Sequence, residues 1–289
     1  MNSLRPLVAA LAACVVVWLV SAGGAGGPTP RGEAALEALG LRLLAERRLA
    51  AGGDRSCLSC HRPELGYTDG LAVAAPGGLN TPTLWGLGGR GAFGWRSPEV
   101  RSLEAMALRP LADPAEMGPL AEATLERLRA DGALVAAYRS AFPEARELVT
   151  WEQTALALAA AVRAIQAPAS PYDRHLAGEA GALAPEALQG QALFAELGCA
   201  ACHRPPAFAT DSYHSVGVAA GPDGGRVRVP GLRGVARTAP YFHDGSAATL
   251  EEVVRHYARG GGPGASPALT PLLLTEGEVR DLVAFLEGL

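Results

Sequence analysis

Apolar positions along this chain recur mainly at helical spacing, in stretches separated by long Gly- and Pro-rich segments. Between Gly32 and Ala50, Leu36, Leu39, Leu43 and Leu44 form a stripe that predicts a first helix. From Pro119 to Ala145 the spacing of Leu125, Leu128, Leu134 and Tyr138 fits two short helices, and Trp151 to Ile165 reads as another. The last is opened by Thr150-x-x-Gln153, in which side chain and backbone cap one another reciprocally. Ala167 to Pro185, rich in Pro and Gly, reads as a connection, after which the pattern restarts. Pro185 suits a first helical position, Leu188, Ala192, Leu193 and Leu197 follow, and Gly198 ends the helix. Two final helices start at the capping boxes Thr249-x-x-Glu252 and Thr275-x-x-Glu278. The second presents Val279, Leu282, Val283 and Leu286 on one side. Gly66 to Gly94 and Pro205 to Ser246 have no sustained period and read as loops, so the expected fold is mostly α with long ordered loops.

Two further features change that picture. The chain has 289 residues, enough for about two domains at roughly 150 residues each. Its 49% hydrophobic and 19% charged residues are globular proportions. All 25 basic residues are Arg; against 29 acids they leave a net charge of −4 with no basic run, which argues against a nucleic-acid partner. Arg5, the apolar run Leu7 to Val20 and the small residues Val20-Ser21-Ala22 read as a signal peptide over 1–22, with an uncleaved N-terminal anchor as the alternative. Leu11-Ala12-Ala13-Cys14 also has the form of a lipidation site, the lesser reading, because the chain after Cys14 would begin with a membrane-suited apolar run. The protein is thus expected to be exported to the periplasm, touching a membrane only through an uncleaved leader.

Of five cysteines, the four outside the leader fall into two pairs, each followed by a histidine: Cys57-Leu-Ser-Cys60-His61 and Cys199-Ala-Ala-Cys202-His203. C-x-x-C-H attaches haem c, the thiols forming thioethers and the His reaching the iron. A disulfide, a thioredoxin-type redox pair or half a zinc site would use the same residues. Two copies in an exported chain with no other cysteine favour two covalent haems c, on His61 and His203. The chain then divides into two cytochrome c-like haem domains, 28–175 and 176–289. Candidates for the opposite face of each iron are His175, His214, His243, His256, Met106 and Met117, and spacing does not choose among them.

Over about residues 36 to 289 the sequence resembles the bacterial di-haem cytochrome c peroxidases, in the wider group that includes MauG. The matching blocks are Cys57-Leu-Ser-Cys-His61 with Gly66-Tyr-Thr-Asp69, Asn80-Thr-Pro-Thr-Leu84, Ser102-Leu-Glu104, Glu116-Met-Gly118 and Ser170-Pro-Tyr-Asp-Arg174. To these are added Val229-Pro-Gly-Leu-Arg233 and Thr238-Ala-Pro-Tyr-Phe-His-Asp-Gly245. The resemblance implies a peroxide-binding N-terminal haem and an electron-transferring C-terminal haem. It implies that Glu116 is the acid/base over the peroxide and that Trp95, seven residues before Ser102, lies between the haems. It also implies one Ca²⁺ between the domains, with Asn80, Thr238 and Pro240 at the matching positions.

Three positions depart from the ordinary peroxidases. The loop histidine that closes the peroxide haem at rest is absent from Asp69 to Asn80, and Gly77 stands where it is expected. The Met ligand of the C-terminal haem is replaced by Tyr257, as in MauG-like members. A tyrosinate there would favour ferric over ferrous iron, although Tyr257 also completes an apolar stripe with Leu250, Val253 and Val254. Met106 replaces a pocket Gln and cannot donate the amide hydrogen bond. The resemblance therefore implies an enzyme that reduces H2O2 with electrons from a small redox protein, a cytochrome c or cupredoxin. The alternatives are a MauG-like oxidation of Trp or Tyr side chains on a partner protein and, less favoured, a di-haem electron carrier without peroxide chemistry.

Overall fold

A computed structural model describes residues 30–73, 78–218 and 225–289. The expected leader at 1–22, with Cys14, and the position of Gly77 lie outside the described residues. The chain forms α1 (Pro30–Leu44), α2 (Cys57–Cys60), α3 (Leu103–Ala112), α4 (Glu122–Arg129), α5 (Gly132–Ala141) and α6 (Trp151–Ala164). It continues with α7 (Pro171–Leu176), α8 (Pro185–Glu196), α9 (Leu250–Ala258) and α10 (Glu276–Glu287). A small antiparallel ribbon joins β1 (Tyr213–Ser215) to β2 (Arg226–Arg228), with Tyr213 opposite Arg228 and Ser215 opposite Arg226. The fold is mostly α, as the periodicity implies.

The capping boxes predicted at Thr150, Thr249 and Thr275 are all formed. The stretch Gly32 to Ala50 is two elements instead of one. The Glu46 carboxylate accepts the Arg48 N–H, which stops α1 and starts a separate 3₁₀ turn at Arg47–Leu49. Helix α3 has no counterpart in the apolar spacing: Ser102 Oγ caps it by accepting from Ala105 N–H at 3.1 Å, and it carries Pro110 near its C-terminal end. There the carbonyl of Pro110 accepts the N–H groups of Asp113 and Met117, turning the chain out of the helix toward Glu116.

Two apolar clusters hold the fold. The first gathers Leu39, Leu43, Leu128, Leu134, Tyr138 and Leu158, all at most 2% exposed. Each such leucine contributes about 1.5–3 kcal/mol by burial. The second is aromatic: Phe194, Phe208 and Phe285 meet edge to face with centroids 5.3–5.9 Å apart, and Tyr172 meets Phe208 at 5.2 Å. Tyr172 draws α7, which contains the expected boundary at 175/176, onto the second cluster.

Both clusters are built on the same device. A Cβ at Gly40 of α1 would stand 1.9 Å from the Ala157 carbonyl oxygen of α6, and one at Gly190 of α8 would stand 1.9 Å from the Asp281 carbonyl oxygen of α10. In each half the helix that leads into a C-x-x-C-H segment crosses the last helix of that half, with backbone against backbone. Between the halves, the buried Trp85 ring is wedged against Gly66 and Gly234, both in the left-handed region (φ 68° and 70°), where a Cβ would clash with it at 2.8 and 2.5 Å. Arg237 covers its face at 5.5 Å.

Candidate functional site

The two C-x-x-C-H segments are held in matching ways. In the first, α2 is one helical turn opened by Ser56, whose N–H donates to Ser59 Oγ at 2.9 Å, and that turn carries Cys57 and Cys60. Next in sequence, His61 Nδ1 lies 3.1 Å from the main-chain oxygen of Tyr67. In the second, a 3₁₀ turn at Cys199–Ala201 follows Gly198, which is left-handed at φ 80°, and His203 Nδ1 lies 3.1 Å from the oxygen of Phe208. Both accepting carbonyls belong to aromatic residues with positive φ, 59° at Tyr67 and 51° at Phe208. Bulky side chains rarely adopt that conformation. A carbonyl can only accept, so each imidazole donates from Nδ1; the backbone of Pro82 also meets the His61 ring and that of Pro230 the His203 ring, and a ring donating from Nδ1 presents Nε2 as its base, the tautomer a metal needs. Burial favours the neutral ring in both, pushing His61 below its ordinary value and His203 down to about 4.

The thiols discriminate among the chemistries that share this motif. All four cysteines are free, and burial pushes Cys57 up to about 11 and raises Cys60 and Cys199. A thioredoxin-type pair requires a lowered thiol. Zinc requires converging ligands, yet among the described residues no three His, Cys, Asp or Glu side chains gather to hold a metal. Cys199, Cys202 and His203 instead line a cavity of about 710 Å³, walled by Phe194, Leu282 and Leu286. A space of that size and apolar character, with two thiols and one basic imidazole at its wall, fits a haem c.

Tyr257, on the inner face of α9, lines the same cavity, and burial together with the neighbouring thiols of Cys202 and Cys199 pushes its phenol upward. Its neighbour His256 is turned away, its Nε2 2.7 Å from the Val216 carbonyl oxygen and its ring edge-on to Phe242 at 4.8 Å. His214 also lines the cavity with Nε2 at 3.0 Å from Ser212 Oγ, while His243 is buried 6.5 Å from the Trp95 ring. His175 lies on α7. Met117 is buried in the first apolar cluster and Met106 packs against that cluster's edge.

Glu116 sits on the turn after α3. Loss of surrounding water and the nearby Asp113 raise its carboxyl above the ordinary value, and its charge is felt at both Cys57 and Cys60. The structure thus brings Glu116 to the first motif although more than fifty residues separate them. Gly118, left-handed at φ 105°, makes this possible, because a Cβ there would stand 2.5 Å from Ala51 Cβ.

Trp95 occupies the seam between the halves. Its indole N–H donates to Asn80 O at 2.7 Å, its own carbonyl accepts the Arg228 N–H at 2.9 Å, and its ring lines the cavity of the second motif. Asn80 is buried and donates its amide to the carbonyls of Leu71 (2.9 Å) and Pro240 (3.4 Å). Thr238 lines the same cavity as Asn80 and Pro240, and its hydroxyl donates to Val235 O at 3.0 Å. Sequence reasoning did not single out Arg228, which lines this cavity. Strand β2, read there as loop, gives no periodicity that marks it.

A family model for di-haem cytochrome c peroxidase matches residues 34–181, and one for cytochrome c matches residues 187–289. The chain belongs to the di-haem cytochrome c peroxidase family. Among its relatives it is 37% identical to the methylamine utilization protein MauG of Methylorubrum extorquens, over 87% of this chain and 77% of that one. It is 32% identical to the cytochrome c551 peroxidase of Nitrosomonas europaea, over 76% and 72%. Among solved structures it resembles a MauG-like protein associated with microbial copper homeostasis, with TM-score 0.80 and 31% identity, covering 88% of this chain and 89% of that one. Membership of this di-haem family implies two c-type haems.

Proposed function

We propose that this protein is an exported peroxidase that carries one haem c on Cys57, Cys60 and His61 and another on Cys199, Cys202 and His203, and reduces H2O2 with electrons from a small redox protein. The observation that carries the reading is the pair of half-buried histidines, each held by a backbone carbonyl at Nδ1 and favoured as the neutral ring. Glu116 within electrostatic reach of the first pair of thiols supports the assignment of peroxide chemistry to the N-terminal half. Bound haem c supplies the iron at which the peroxide O–O bond breaks and through which electrons arrive.

The raised Glu116 carboxyl takes the proton from one peroxide oxygen at Oε and returns it to the other, so that the departing oxygen leaves as water. Two electrons and two protons complete the reduction to two waters. Trp95, hydrogen-bonded to both halves, places a polarisable ring along the line between the two sites. Asn80, Pro240 and Thr238, which line one cavity at the seam, would be the residues to offer oxygen donors to a Ca²⁺ between the halves. The segment 1–22 directs the chain to the periplasm, where haem c is attached; among the described residues no helix is long and apolar enough to cross a membrane.

A second reading, oxidation of Trp or Tyr side chains on a partner protein, is favoured by Tyr257 at the wall of the second cavity and by the similarity to MauG. One equivalent of H2O2 added to the fully ferric holoprotein without reductant, followed by visible and EPR spectra, tests the peroxide site. Prompt loss of a high-spin signal is expected. Absence of any reaction until one haem is reduced would mean a site closed at rest. Turnover with reduced cytochrome c, set against mass spectrometry of a candidate partner, separates the two readings.

A further inference from the structure

The cavity of the second C-x-x-C-H segment has an unbalanced charge on its wall. Three arginines line it, Arg90, Arg228 and Arg233. Arg233 pairs with Asp173, and Arg90 Nε donates to Asp211 at 2.7 Å, with a further bond to the Thr210 carbonyl. Asp211 also accepts the Gly91 N–H at 2.8 Å. Arg228 is 4% exposed and makes no ion pair of its own; its Nε donates to Gly94 O at 3.3 Å, and its Nη1 is buried with no hydrogen-bond partner. Burial and the like charge of Arg90 lower its pKa to about 10, against the smaller pull of Tyr213 and of Asp211, which is bonded to Arg90, so that it is still cationic at neutral pH. An unpaired buried guanidinium is strongly unfavourable unless something anionic enters beside it. Among the described residues one acid lines the cavity, Asp173, and it is already taken.

We propose that Arg228 is a positioning residue whose guanidinium, at the wall of the cavity, binds a carboxylate of the haem attached at Cys199 and Cys202, and that its charge raises that haem's reduction potential. The anionic groups at the edge of haem are its two carboxylates, so a planar fork is the complement such a ligand needs. A fixed cation beside the haem edge stabilises the reduced form, which carries one positive charge fewer. Because β2 joins Arg228 to Trp95 through the Arg228 N–H to Trp95 O bond, the same residue ties haem orientation to the seam between the halves.

The inference rests on haem occupancy of the second site, which the experiment reads separately. Holoprotein is titrated spectroelectrochemically with both haems resolved, in the parent, Arg228→Gln, Arg228→Lys and the exposed control Arg226→Gln. Arg228→Gln is expected to shift the oxidised-to-reduced ratio of the C-terminal haem about tenfold toward oxidised at fixed potential, equal to about 59 mV for one electron. Arg228→Lys should keep most of the parent value, and Arg226→Gln should change it less than twofold. Arg228→Met, which removes the charge but keeps an apolar side chain suited to burial, serves if the Gln variant does not accumulate. An unmoved C-terminal potential with both haems attached overturns the proposal, as does a shift confined to the N-terminal haem or an equal fall in Arg228→Lys. Absence of covalent haem at Cys199 and Cys202 in the parent protein would instead overturn the haem reading.

Discussion

Trp95 reaches across from its own loop to Asn80, its indole N–H 2.7 Å from the Asn80 carbonyl, while the amide of Asn80 reaches on to Pro240 in the other half. One side chain thus links the segment after the first haem motif with the loop that walls the second. Trp95→Phe keeps an aromatic ring, though a smaller one, and removes the donor, leaving Asn80 O without its partner, at a cost of about 1–3 kcal/mol. After one equivalent of H2O2 the parent should show spectral change at both haems and Trp95→Phe at one. Equal change at both haems in the variant would remove Trp95 from the electron path.

If Glu116 acts first as a proton acceptor, as proposed, it must be ionised when peroxide arrives. Its carboxyl is raised by partial loss of surrounding water and by Asp113, so the rate of reaction with peroxide should climb with pH through a point above the ordinary glutamate value of about 4.3 and fall below it. Glu116→Gln should lose that pH limb and slow the step by about 10² to 10⁴-fold. Stopped-flow traces across about pH 4 to 8, an interval of roughly four units that contains that point, decide it. A limb that survives in the Gln variant assigns the proton to another group.

Tyr257 lines the second cavity from α9. If its phenolate holds the iron there, Tyr257→Met should raise the reduction potential of the C-terminal haem, because a thioether favours the reduced metal more than a phenolate does. Tyr257→Phe should change the low-spin EPR signal of the same haem. Unchanged spectra and potential in both variants leave Tyr257 as a packing residue of the α9 stripe.

The two backbone crossings are testable by a single methyl group. Gly190→Ala would place its Cβ 1.9 Å from Asp281 O and 2.9 Å from Phe285 Cβ, against backbone and core that have no room to yield. A loss of at least about 1–3 kcal/mol is expected. Gly132→Ala, at the first residue of α5, meets nothing within 4 Å and should stabilise by about 0.4–1 kcal/mol. Urea midpoints at constant slope measure both, and a neutral Gly190→Ala would refute the close crossing.

What was legible in the sequence was what local chemistry writes: the capping boxes at Thr150, Thr249 and Thr275, the leucine stripes, and the two Cys-His clusters. Helix α3 escaped because its start rests on one serine hydroxyl and Pro110 interrupts its pattern. Ribbon β1–β2 escaped because three-residue strands carry too few positions for alternation to show. The carbonyls of Tyr67 and Phe208 that fix the histidines are backbone atoms, invisible to any residue-type motif. The proximity of Glu116 to Cys57, and the unbalanced charge of Arg228, are products of tertiary approach between segments far apart in the chain. Resemblance to a family could supply the first of these, but not the second.

The Trp85 wedge has a bearing on timing. With Gly66 in the loop after the first histidine and Gly234, bonded through its N–H to Leu289 O, pressed against the same ring, a swing of either half would have to displace a buried indole. The separation between the two redox centres is then a fixed quantity. Electrons cross a gap of constant width, and their transit should be indifferent to solvent viscosity.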